Sequence, residues 1–148
     1  GGAKQIQTYS DFIVLLTRTA DEIKSDSHYI EYLLKDVQNL TDEHYNMMKG
    51  FLKNVDTMFD NDKAFQAYAT EQTYIALSSM MLTAAMLEID SCPIGGMDKK
   101  AVTKILVEEG LLDTKKFQVT LGCAFGYRAK PATPKKRQPL SEVSTIVK

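Results

Sequence analysis

Residues 62–98 read DKAFQAYATEQTYIALSSMMLTAAMLEIDSCPIGGMD, and this stretch decides the fold. The pattern predicts one long helix that ends at a turn built from Pro93, Gly95 and Gly96, because Pro and Gly interrupt regular structure. Within 74–87 nearly every residue is apolar, and the exceptions are small. A helix that is apolar on all sides is typically buried on all sides. We therefore expect a central core helix.

The same helix could be read as a membrane span, but its apolar part is too short. A span needs about 20 predominantly apolar residues, and Glu71 and Glu88 lie close to the two ends of this run. We expect no contact with a membrane.

Length and composition indicate a single globular domain covering residues 1–148. Hydrophobic residues make up 44% of the 148 and charged residues 25%, which is typical of globular proteins. The net charge of −1 gives the protein as a whole no electrostatic attraction to nucleic acid. We expect no nucleic-acid partner.

The segment 128–148, a basic strap followed by a tail, carries positive charge. Its six basic residues and one acid give it +5, so the rest of the chain carries −6. Lys135, Lys136 and Arg137 lie between Pro134 and Pro139. Three interpretations stay open: a solvated tail, a nucleic-acid contact, which would need more aromatic neighbours, or a clamp for one phosphate group.

The cysteines and histidines predict neither a metal site nor a catalytic nucleophile. Cys92 and Cys123 have no CxxC spacing, and both lie in apolar runs, which is typical of buried free thiols in a reducing compartment. His28 and His44 lie on the polar sides of predicted helices. The first residues do not resemble a signal peptide, so we expect a cytoplasmic protein.

The remaining pattern predicts two strands and three further helices. A strand buried on both faces is expected at 12–18, because this run is continuously apolar and β-branched. At 117–126 alternation predicts a strand with one crowded face and one small-residue face. Two strands alone make a poor sheet, so we expect others from a partner or from a missing part. The three helices are expected to begin after 25–27, after Thr41 and at Asp98, and the last to end at Gly110.

The turn at 91–96 has two possible roles. It could simply connect two helices. Alternatively, Gly95 and Gly96 could present bare main-chain N–H groups to a ligand, since glycine allows close approach and such donors stabilise negative charge at a fixed point.

Taken together, these segments resemble the flavin-dependent nitroreductase family. No single motif is decisive, but several occur in the family's order. The matching segments are Lys4–Ile6, 72–85, 90–97, 109–112, 124–129 and 135–139.

The resemblance implies an α+β fold with a central mixed sheet flanked by helices, assembled as an interlocked homodimer. It also implies that the chain lacks the family's N-terminal part. That part carries an Arg-x-Ser-x-Arg-type motif that grips flavin mononucleotide (FMN), and no such motif is present in this sequence.

The implied function is an FMN-dependent NAD(P)H oxidoreductase that reduces nitroaromatics, quinones or similar small acceptors. The implied reaction is ping-pong hydride transfer through flavin N5, without a catalytic side chain. The resemblance places the N–H groups of Gly95 and Gly96 near flavin N5 and O4.

The remaining cofactor-binding residues follow from the same resemblance. Pro93 and Ile94 are implied to lie beneath the flavin ring, and Lys135 and Arg137 to bind its phosphate. Lys136 could substitute for either cation. The alternative function is a non-catalytic helical dimerisation fragment that has lost the cofactor site.

Overall fold

The computed structural model describes residues 8–147, and the Lys4–Ile6 motif lies outside them. The fold mixes helices with one sheet, as predicted. The strands are β1 (Asp11–Arg18), β2 (Asp90–Ile94) and β3 (Phe117–Gly126). The helices are α1 (Ala20–Ile23), α2 (His28–Tyr32) with a π-helical continuation at Leu33–Val37, α3 (Asp42–Asp56), α4 (Asp62–Met86), α5 (Lys99–Glu108) and α6 (Leu140–Val143).

The sheet has the strand order β1-β3-β2 and is antiparallel throughout. The parallel pairing of the predicted mixed sheet is therefore not found within residues 8–147. In β1, Asp11 pairs with Phe125 and Arg18 with Phe117, with a bulge after Leu15. The third strand, β2, was not predicted, and it supplies the second partner that β3 needs.

Strand β3 has the predicted bounds and forms the centre of the molecule. Leu121 is 1% exposed and Cys123 is 0% exposed. Both pack with Leu15 and Leu77 in the buried cluster between the sheet and α4. The face of β3 that carries the larger apolar side chains therefore packs against the long helix, as expected from the alternation of the sequence.

The small-residue face of β3 is covered by an aromatic ring. A Cβ atom built on Gly122 would lie 2.2 Å from Cζ of Phe12, closer than van der Waals contact permits. The space that the missing side chain leaves is therefore filled by β1 of the same chain. Along β1 itself, Leu15 and Thr17 are buried, but Phe12, Val14 and Leu16 on the other face are only half-buried, so the prediction of burial on both faces was wrong for this edge strand.

The long helix ends earlier than predicted. Helix α4 stops at Met86, and Glu88 takes a positive φ of 59°. The N–H of Ile89 then donates to the carbonyl of Ala84 at 2.8 Å, which closes the helix end. The next residues form β2 rather than a turn. Pro93 fits there because β2 is an edge strand, where a missing N–H removes no ladder hydrogen bond.

The prediction that α4 is buried on all sides was also wrong. One stripe of the helix is buried against the sheet and the segments beside it, and its buried members are Phe65, Ala69, Leu77 and Ala84. Away from that stripe, Ile75 is 63% exposed, Leu82 65% and Met86 77%. Within residues 8–147 the sheet covers one side of α4. In the same residues, no helix has the length and apolarity that crossing a membrane requires.

Polar side chains fix α4 to the sheet. The hydroxyl of Thr17 in β1 bonds to that of Thr73 at 2.6 Å and also to that of Thr120 in β3. At the end of β1, the Gln66 amide accepts from the N–H of Ala20 at 2.7 Å and donates to the carbonyl of Arg18 at 3.0 Å. The helix and both strands are therefore joined by hydrogen bonds between side chains that are wholly or partly buried.

The predicted helix starts are confirmed. Ser27 caps α2 by accepting from Ile30, Thr41 caps α3, and Asp98 caps α5. Gly110, with a φ of +68°, follows the end of α5 as predicted. Helix α3 contains no fully buried residue, and Met47 and Phe51 on it are exposed.

We predict that Gly122→Ala lowers the free energy of unfolding by about 1–3 kcal/mol, because the new methyl group overpacks against the ring of Phe12. Urea denaturation measures this change. Adding Phe12→Leu should recover part of the loss, as expected for residues in contact.

Gly50→Ala is the matched control, since Gly50 lies within α3 and a Cβ there meets nothing within 4 Å. That change should raise stability by roughly 0.5–1 kcal/mol, because alanine favours helix. An unaltered unfolding free energy in Gly122→Ala would contradict the packing described for β3.

Candidate functional site

A cavity of about 380 Å³ lies where β2 begins and β3 ends. Apolar and aromatic groups form much of its wall, and its charged lining residues are Asp90, Arg128 and Lys135. The size falls within the range of about 300–1,000 Å³ that is usual for small-molecule sites. The lining residues are Thr8, Tyr9, Asp90, Ser91, Cys92, Ala124, Phe125, Gly126, Tyr127, Arg128, Ala129, Ala132 and Lys135.

Asp90 and Arg128 form the best-defined contact in this wall. The guanidinium donates from Nε to Oδ2 of Asp90 at 2.7 Å and from Nη2 to Oδ1. The main-chain N–H of Arg128 donates to the same Oδ2 at 3.1 Å. The hydrogen bonds from Arg128 are the main reason why the pKa of Asp90 is lowered, and the same contact raises the pKa of Arg128. Both side chains are therefore ionised near neutral pH.

The basic strap places one of its predicted phosphate ligands in the cavity. Lys135 lies in the lining, and it makes no salt bridge with any residue of the described chain. Arg137 does not line the cavity; its guanidinium donates to the carbonyl of Lys136 at 3.0 Å, and both side chains are exposed. The strap from Ala132 to Pro139 has no regular structure.

The predicted glycine turn lies at the far end of β2. Gly95 and Gly96 are exposed, and a Cβ at either position would meet nothing within 4 Å. Neither N–H group donates a turn or side-chain hydrogen bond within residues 8–147. Pro93 is exposed and Ile94 is half-buried in β2. The turn therefore offers two main-chain donors beside open space, outside the cavity lining itself.

The two cysteines differ in environment. Cys123 is fully buried, and burial raises the pKa of its thiol, so it stays protonated at neutral pH. Cys92 is half-buried and lines the cavity. His28 and His44 are exposed. Among residues 8–147 no group of three or more His, Cys, Asp or Glu side chains is arranged to hold a metal ion.

A second, more apolar groove of about 610 Å³ lies beside the cavity. It shares Phe125, Gly126 and Tyr127 with the cavity and runs along the flank of α4 at Met80 and Thr83. The site and the uncovered face of the long helix are thus neighbouring surfaces.

Comparison with known proteins identifies the family. The model of the Nitroreductase family matches residues 13–127, which include β2, β3, helices α1–α5 and all but the first two residues of β1. The chain is also 38% identical over 147 residues to the Bacillus subtilis protein named "Putative NAD(P)H nitroreductase YfkO", and 37% identical over 146 residues to a Staphylococcus haemolyticus protein with the same kind of name. This chain belongs to the Nitroreductase family.

Solved structures show the same fold. A Nitroreductase family protein from Streptococcus pneumoniae matches 97% of this chain with a TM-score of 0.75 and 18% identity. A nitroreductase structure from Exiguobacterium sibiricum, described as a complex with FMN, matches 95% with a TM-score of 0.65 and 17% identity. These matches cover 68% and 64% of the two solved chains. The present chain spans 66% of the length of each of the two named relatives.

Sequence reasoning missed the Asp90–Arg128 pair and the position of Cys92 in the cavity wall. Asp90 and Arg128 are 38 positions apart, and no local pattern connects them. Had β2 been predicted as the partner of β3, the two residues would have been expected side by side at the ends of paired strands.

Proposed function

We propose that this chain forms part of the flavin site of an FMN-dependent NAD(P)H oxidoreductase of nitroreductase type. Family membership, the NAD(P)H nitroreductase names of the relatives and the FMN complex of one structural neighbour support this proposal. The observation that carries it is the convergence, along β2, of a cation-lined cavity and two free main-chain donors.

The residues present fit such a cofactor. Aromatic side chains of Tyr9, Phe125 and Tyr127 line the cavity and suit a flat ring, and Lys135 supplies a cation for a phosphate. Gly95 lies three positions after Cys92 of the lining, which is roughly 10 Å along an extended strand. A tricyclic ring with a phosphorylated side chain can span that distance.

We assign roles on this basis. Lys135 binds the phosphate, and Arg137 joins it once its local contact with the Lys136 carbonyl is exchanged for the ligand. The N–H groups of Gly95 and Gly96 donate to the polar edge of the ring. Pro93 and Ile94 form the surface beneath it.

The protein's own contribution is binding, orientation and electrostatics. When bound, FMN supplies the capacity to accept a hydride from NAD(P)H and to pass two electrons to a small acceptor such as a nitroaromatic or a quinone. Main-chain donors fixed at the ring edge stabilise the negative charge that reduction adds there. None of these roles requires a side chain that acts as nucleophile or base.

We further propose that a second copy of the chain covers the exposed face of α4. Ile75, Leu82 and Met86 are all more than 60% exposed, and the apolar groove runs along the flank of the same helix at Ser79 and Thr83. Contiguous apolar surface of this kind marks an interaction site rather than a solvated face. A flavin site next to this face would then lie close to the dimer interface.

Lys135→Ala combined with Arg137→Ala should weaken FMN binding at least about tenfold, because both charge-assisted contacts to the phosphate are lost. Fluorescence titration of FMN measures the affinity. The control is Lys104→Ala with Lys100→Ala, two exposed cations on α5, which should leave the affinity unchanged. Equal FMN affinity in the strap variant and the unsubstituted chain would remove these two residues from the site.

Gly95→Val should abolish FMN loading while leaving the chain folded, because the branched side chain would occupy the space that the ring edge needs. A Cβ at Gly95 meets no protein atom within 4 Å, so the substitution does not disturb the fold itself. Circular dichroism checks folding, and bound flavin is measured after gel filtration. Normal loading would show that the turn does not face the cofactor.

Leu82→Lys should shift the chain from dimer to monomer, since a charge would have to be buried at the interface. Light scattering coupled to gel filtration gives the mass. Leu111→Lys, at a residue that is 71% exposed after α5, is the control. A monomeric unsubstituted chain would refute the dimer. A dimer that binds no FMN would favour the alternative of a non-catalytic dimerisation fragment.

A further inference from the structure

The pairing of β2 with β3 ends at the cavity. Beyond that point the two segments are held together by the ion pair between Asp90 and Arg128. Asp90 opposite Gly126 is the last pair of the ladder. Two residues further on, Arg128 donates three hydrogen bonds to the Asp90 carboxylate, one from its main chain and two from its guanidinium. The start of the strap is thereby fixed against the start of β2.

Arg128 and Lys135 are the cations of the cavity wall, but they are not equivalent. The Arg128 guanidinium is engaged edge-on by Asp90 and is neutralised by it. Lys135 makes no salt bridge within residues 8–147, although its charge is near enough to help lower the pKa of Asp90. Among the described residues of the cavity wall, Lys135 is therefore the cation that is left to meet an anionic group, and Arg128 is committed to its partner.

The strap between these two cations is short and stiff. Pro131 and Pro134 lie between Arg128 and Lys135, and each proline fixes its own φ and restricts the residue before it. The direction in which the strap leaves β3 therefore strongly affects where Lys135 points. That direction is set by the forked contact with Asp90, whose geometry allows little rotation.

We propose that Asp90 and Arg128 are positioning residues that aim Lys135 at the cofactor phosphate, and that they set the preference of this site for FMN over riboflavin. This inference rests on the flavin site proposed above and deepens it. The pair is partly exposed, with side-chain exposures of 55% for Arg128 and 38% for Asp90. Such pairs add little to global stability, so a role in orientation can be separated from a role in folding.

The test compares FMN with riboflavin, which has the same ring and lacks the phosphate. Fluorescence titration of both ligands against the whole chain gives the ratio of their affinities. Asp90→Asn keeps the size of the side chain and removes its charge. We expect FMN affinity to fall about tenfold, the scale of one misplaced charge-assisted contact, with riboflavin affinity unchanged.

Arg128→Lys is the second variant, because it keeps the charge and loses the fork. It should show the same selective loss of FMN affinity. Glu108→Gln is the matched control: it removes one exposed carboxylate, 3.7 Å from Lys104 on α5, and should leave the ratio unchanged. Riboflavin binding in each variant reports independently that the ring site is folded.

The outcomes separate this inference from the proposed function. A chain that binds FMN and keeps its preference in both variants would overturn the positioning role alone. An equal loss of FMN and riboflavin affinity in the variants would show that the pair is only structural. An unsubstituted chain that binds riboflavin as tightly as FMN would also overturn the inference. Binding of neither ligand by the unsubstituted chain would overturn the proposed flavin site and this inference with it.

Discussion

The pairing of β2 with β3 is the constraint on which the rest of the structure depends. Five residue pairs, from Asp90–Gly126 to Ile94–Gly122, hold together two segments that are remote in the chain. At one end of β2 this pairing presents the turn of Gly95 and Gly96. At the other it brings the start of the basic strap beside Asp90. Strand pairing, together with the contact between Asp90 and Arg128, thus arranges a cation and two main-chain donors along one edge of the sheet.

Helix α4 packs against one face of the sheet and holds this edge in place. Leu77 of α4 packs on Leu121 and Cys123 of β3, and the threonine hydroxyls tie the helix to both β1 and β3. The opposite side of α4 exposes apolar residues such as Ile75, Leu82 and Met86, and the flank of the helix lines the groove beside the cavity. A surface that the sheet does not cover is available for a second chain, which would make assembly and cofactor binding neighbouring events.

Local signals predicted the elements that depend on local physics. Ser27, Thr41 and Asp98 cap helices because a side-chain oxygen can reach the first free N–H groups, and the alternation in 117–126 needs only one buried face. Strand β2 was missed because it is only five residues long and contains Pro93, so no local pattern marks it as a strand. Its pairing with β3 is what defines it.

The burial of α4 and the arrangement of the site residues also depend on contacts between distant segments, which local sequence patterns do not reveal. Counting apolar residues does not tell which of them another segment covers, so the exposure of Leu82 and Met86 could not be predicted from the pattern. The placement of Lys135 in the cavity and the contact of Asp90 with Arg128 both depend on strand pairing over long sequence separation. The sequence could not show that Lys135 lines the cavity while Arg137 lies outside the lining.

The measurement that tests the central claim most directly is the visible absorption spectrum of the chain after incubation with FMN and gel filtration, before and after addition of NAD(P)H. If the edge of β2 and the strap form a flavin site, the protein fraction should retain the absorption of oxidised flavin and lose it when the nicotinamide is added. A protein fraction without flavin absorption, at FMN concentrations well above those used by flavoenzymes, would contradict the account.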